Sequence, residues 1–71
     1  MGAGLDKGAI AAEKAVLQED STLRTPADVT NRMRAVDAER NASEHHSSEA
    51  LLQFEIRLSA LEELSEDLKR S

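Results

Sequence analysis

The chain has 71 residues, nine basic and fourteen acidic side chains, a net charge of −5 and no cysteine. A chain of this length supports one small domain at most, and the missing thiols exclude both a disulfide framework and a thiolate zinc centre. Nucleic-acid binding requires a basic face that displaces counterions, but Arg32, Arg34 and Arg40 are interleaved with Asp28, Asp37 and Glu39, so direct binding is not expected.

The first element is a helix over about residues 5–20. Leu5, Ala9, Ala12 and Val16 follow helical spacing, Ile10 and Leu17 widen the stripe, and Ala9, Ala11, Ala12 and Ala15 are strong helix formers. Ile10, Val16 and Leu17 are its candidates for packing within the chain. Gly4 and Gly8 have the spacing of a small-residue packing pair, although outside a membrane a frayed terminus is the plainer account.

Ser21-Thr22-Leu23-Arg24 reads as a connection, and Thr25-Pro26-Ala27-Asp28 reads as a helix start. Thr25 is the N-cap, and Pro26 takes the first helical position, where its missing N–H costs nothing. Asp28 sits at the third position, where a carboxylate can reach back and favours the positive helix end. The helix runs over about residues 26–42. Val29, Met33 and Val36 form its narrow core stripe, and Asp28 with Arg32 is an i,i+4 ion pair.

From Asp37 to Glu49 there is no large apolar side chain. A solvated helix continuous to Lys69 competes here with a break near Asn41 and a restart capped by Ser47 or Ser48. The break is the expectation. A third helix then covers about residues 48–69, with Leu51, Phe54, Leu58, Leu61 and Leu68 spaced as the a and d positions of a coiled coil. Ser65 interrupts that seam and Leu64 compensates beside it, while Leu52 and Ile56 add a second apolar strip. So broad a face suits a bundle of three or four helices better than an isolated pair. Lys69 and Arg70 suit the negative helix end, Glu66 with Arg70 is an i,i+4 pair, and Glu62, Glu63, Glu66 and Asp67 form an acidic side.

The expected fold is all-α, a helical hairpin or three-helix unit with a coiled-coil-like C-terminal helix. The sixteen large apolar side chains beyond Met1 include one aromatic, Phe54. That modest core leads us to expect completion by a homo-oligomer or a protein partner. Leu51, Phe54, Leu58, Leu61, Leu64 and Leu68 are the expected protein-interaction residues, and Ile10, Val16, Leu17, Val29, Met33 and Val36 the intrachain core.

Neither a membrane span of about 18 apolar residues nor a secretion signal is read from the sequence, and Asp6 stands where myristoylation needs Ser or Thr. A cytoplasmic location is therefore expected. His45 and His46 point about 100° apart on a helix and cannot chelate one ion as i,i+4 histidines do. Ser43, Ser47 and Ser48 have no glycine-rich oxyanion loop near them and read as caps or solvated groups. Asn41-Ala42-Ser43 matches the short glycosylation pattern, which carries little without a secretion signal. No catalytic, cofactor or metal site is expected. The functional expectation is a non-enzymatic adaptor, structural subunit or assembly chaperone working by helix packing. The alternative is an acidic inhibitor or antitoxin-like regulator that engages a basic surface.

Overall fold

A computed structural model describes residues 6–42 and 47–70. These form three α-helices and no strand: α1 Lys7–Gln18, α2 Pro26–Ala42 and α3 Ser48–Arg70. Each start is fixed by a short polar side chain that satisfies an orphan N–H of the first turn. The Asp6 carboxylate accepts from the Gly8 N–H at 2.9 Å. At α2 the Asp28 N–H donates to Thr25 Oγ1 at 3.2 Å, and the N–H groups of Thr25 and Arg24 donate to Asp28 Oδ2 at 3.1 and 3.3 Å. This is a reciprocal capping box with aspartate in the place of the usual glutamate. Of the two candidate serines before α3, Ser47 is the cap, its Oγ accepting from the Ala50 N–H at 3.1 Å.

Between α1 and α2 the chain is tied down. The Thr22 N–H and hydroxyl both donate to Asp20 Oδ1, at 2.9 and 2.6 Å. From α2, Arg32 Nη2 reaches Asp20 Oδ2 at 3.4 Å and Thr22 Oγ1 at 3.2 Å. The expected Asp28–Arg32 pair is therefore replaced. Asp28 caps its own helix, and Arg32 staples the preceding loop to α2. This loop also drops Leu23, which is 6% exposed, into the core.

The second and third helices pack as an antiparallel hairpin, so the chain breaks rather than running on as one long rod. Arg40 lies with Glu55 and Leu58 near the hairpin's closed end, and Thr30 and Arg34 lie with Ser65, Glu66 and Lys69 at the other. The first helix packs across α3. Ile10 lies by Ser59, Glu62, Glu63 and Glu66 on one side of α3, while Glu13 and Leu17 reach Arg57 and Leu61 on the opposite side. Lys14 anchors the crossing by ion pairs to Asp67 and, at 3.9 Å, to Glu63. No Cα atom of α1 lies within 8 Å of a Cα atom of α2. Both lean on α3, and the chain measures only 17 Å along its shortest axis.

The third helix can serve as this shared support because it carries two apolar stripes. Phe54, Leu58, Leu61 and Ser65 recur at helical spacing and face α2, whose Val29, Met33 and Val36 meet them. Ile56, Ala60 and Leu64 share the side of Glu63 and Asp67, the residues that hold α1 through Lys14. Val29 and Ala60 are fully buried, Leu61 is 1% exposed, and Ile10, Leu17, Leu23 and Val36 complete the core. Val16 departs from its expected place in that core. It is 64% exposed, because α1 crosses α3 with Ile10 and Leu17 inward, and the next-door position points away.

Candidate interaction surface

The structure divides the residues expected to meet a partner into two groups. Phe54, Leu61 and Leu64 are buried within the chain, and Leu58 and Leu68 are partly buried against the same core. Leu51 lies outside it, 43% exposed, with Leu52 beside it at 42%. Most of the leucine face of α3 is thus covered by the chain's own α1 and α2. The part left open is the end of α3 away from the α1 crossing.

Around the outward side of α3 run three shallow grooves that share Glu62. The largest, about 620 Å³, lies between α2 and α3, with Met33 and Leu58 as its apolar floor and walls of mixed charge, the acids Asp37, Glu62 and Glu66 with the bases Arg34 and Lys69. A smaller one of about 210 Å³ continues past Leu58 to Glu55 and Arg40. The third, about 400 Å³, lies on the α1 side between Ile10 and the row Ser59, Glu62, Glu63 and Glu66. The opposite side of the molecule is also grooved. There a cleft of about 340 Å³ floored by Leu17, Val36 and Leu61 is rimmed by two acids, Glu13 and Glu39, and two bases, Arg32 and Arg57.

The charges on the grooved side are unevenly neutralised. Asp37 accepts from Arg40 at 3.2 Å and from Asn41 at 3.5 Å, and Glu63 shares Lys14. Glu55, Glu62 and Glu66 make none of the ion pairs seen among the described residues, nor does Arg70 pair with Glu66 as the sequence spacing had led us to expect. Glu55, Glu62 and Glu66 recur on the same side of the helix as Leu51 and Leu58.

The titration shifts lie elsewhere. The Thr25 hydroxyl and N–H, with the Arg24 N–H, hold Asp28 below the ordinary aspartate range. Hydrogen bonds from the Thr22 hydroxyl and N–H do the same for Asp20, helped by Arg32. Both shifts come from structural hydrogen bonds at turns and have no bearing on reactivity. Among the described residues no group of three or more His, Asp or Glu side chains is placed to hold a metal ion, and no helix is long and apolar enough to cross a membrane. His45, His46 and Ser43 lie outside the described residues. Ser47 caps α3, and Ser48 is its first residue.

The buried residues that sequence reasoning missed are Leu23, Ala60 and Ser65. Ala60 had a usable signal, since it stands midway between Ile56 and Leu64 at i,i+4 spacing. Compared with known proteins, the chain matches no family model, no curated protein and no solved structure.

Proposed function

We propose that this protein is a non-enzymatic, cytoplasmic interaction module, an adaptor or structural subunit, that docks a helix of another protein chain on the outward side of α3. One observation carries the reading. A helix that already serves as the shared support for α1 and α2 keeps Leu51 and Leu52 exposed at one end of a grooved, partly apolar side. Exposed leucines adjoining apolar grooves are a common mark of association surfaces. Coiled-coil-like packing then involves the Leu51, Glu55 and Leu58 region and leaves the Phe54, Leu61 and Leu64 core to the chain itself. Pairing of two copies by this side would make a homo-oligomer.

The acidic-regulator reading has its own support in Glu55, Glu62 and Glu66, which stand without ion-pair partners on the same side. The two readings share a surface and differ in what holds the complex.

Site-specific photo-cross-linking in the cells that make the protein tests the proposal. A cross-linker at position 52 should give a discrete protein adduct that is absent with the cross-linker at position 39 and is lost with Leu51→Asp. Adducts from neither position, or equally from both, would overturn it.

A further inference from the structure

We infer that α1 can leave its own α3 and dock on the α3 of a second copy, giving a dimer in which two chains exchange their first helices. The seat for α1 is built on α3. Ile10 and Leu17 are buried, Lys14 pairs with Glu63 and Asp67, and no Cα atom of α1 lies within 8 Å of one in α2. An α1 arriving from another chain meets the same side chains in the same places, so the exchange sacrifices none of this packing. Such an exchange is a low-cost route to a dimer wherever the connecting turn can open. It makes no use of Leu51 or Leu52 and so stands apart from the docking surface proposed above.

The turn after α1 is built to open. Residues 19–24 contain neither glycine nor proline, and the backbone past Gln18 is still wound. Glu19 is right-handed helical at φ −86° and ψ −7°. The N–H groups of Glu19, Asp20 and Leu23 donate to the carbonyls of Val16, Leu17 and Asp20 at 3.1, 3.0 and 3.1 Å. A side-chain clasp turns the chain back: Asp20 accepts the Thr22 N–H and hydroxyl on Oδ1 and Arg32 on Oδ2. With that clasp undone, Glu19 to Thr22 can continue α1 by about one turn, roughly 6 Å, and carry it away from its own α3. Pro26 sets the limit, because a helix running through it would lose a hydrogen bond and clash with the carbonyl of Thr22. Leu23 therefore stays in its own core, and α2 keeps its start. The clasped turn keeps the closed monomer the major form at ordinary concentrations, since a tethered α1 competes at a high effective concentration.

The test uses the full chain, wild type and Asp20→Ala, each made in light and heavy-isotope forms. The two forms are mixed at high concentration, warmed through the melting transition and cooled. Monomer and dimer are then separated by size exclusion with light scattering. A carbodiimide joins Lys14 to Asp67 or Glu63 as an amide, and mass spectrometry reads whether the joined peptides came from one chain or two. In the dimer, light–heavy links should equal same-isotope links in amount, whereas links in the monomer should be isotope-pure. Asp20→Ala breaks the clasp and favours helix through the turn, so it should raise the dimer association constant about tenfold or more. Asp20→Gly undoes the same hydrogen bonds without favouring helix and should raise it less. Isotope-pure links in the dimer, no gain of dimer in Asp20→Ala, or an equal gain in Asp20→Gly overturns the inference. Circular dichroism of each variant checks the fold. Thr22→Ala opens the clasp from its other side and should shift the equilibrium the same way, which keeps the test decisive if Asp20→Ala does not fold.

Discussion

Leu61→Ala is the sharpest probe of how α3 is covered. Leu61 is 1% exposed and sits on the stripe facing α2, with Leu17 of α1 and Val36 of α2 beside it. Removing three carbons there leaves a cavity between three helices, and such changes typically cost about 2–5 kcal/mol. A domain of this length holds roughly 4–11 kcal/mol in all, at about 0.05–0.15 kcal/mol per residue. A loss near 3 kcal/mol would lower the melting midpoint by about 12–24 °C. Leu51→Ala makes the same chemical change at a site 43% exposed, and should cost less than about 1 kcal/mol. Urea titration followed by helical circular dichroism, at a low and a high protein concentration, reads both. Equal costs at the two positions would refute the assignment of core and surface. So would a Leu61→Ala midpoint that climbs with concentration, since that would mean another chain supplies the burial.

Three further outcomes follow from the polar contacts. Thr25→Ala removes the α2 cap and should cost about 1 kcal/mol, with Asp28→Ala destabilising in the same direction and less than additively with it in a double-mutant cycle, since the two share one box. Asp20 and Asp28 are both more acidic folded than unfolded, so the unfolded chain binds more protons and their stabilisation is lost as pH falls. Thermal melts should be insensitive to these groups above about pH 5 and drop below about pH 4, with a shallower drop in Asp28→Asn. Lys14→Met should loosen the α1 crossing by about 0–1 kcal/mol, an effect that shrinks in melts at high salt because the pairs with Glu63 and Asp67 are partly solvated.

The features legible in the sequence are those whose cause is local. Thr25-Pro26-Ala27-Asp28 folds by hydrogen bonds within one turn, so composition alone announces it. Val29, Met33 and Val36 reveal their side of α2 by spacing. The stripe of α3 was equally visible, but periodicity records only that a side is apolar and says nothing of which chain covers it. Two separate stripes allowed α1 and α2 to take most of it, leaving Leu51 and Leu52 outside. Leu23 lay hidden because burial of a connecting residue depends on how the flanking helices close. Arg32 was misassigned for a related reason: its nearest acid in helical register, Asp28, was already committed to backbone N–H groups, and Asp20 in the loop was free to take it. Val16 lies outside because Ile10 and Leu17 take the inward side of α1 and a neighbouring helical position points about 100° away.

The arrangement of α1 also sets the order in which the molecule comes apart. The second and third helices are neighbours in sequence, so their pairing closes a short loop and forms a local unit. Contacts of α1 with α3 join distant parts of the chain, and no Cα atom of α1 comes within 8 Å of one in α2. Its retention rests on Ile10, Leu17, the Lys14 pairs and the stapled loop. Amides of α1 should therefore exchange with solvent through a partial opening that leaves the hairpin closed, while those around Leu61 await global unfolding. The chain behaves as a hairpin with a latch, and the latch is the first part to let go.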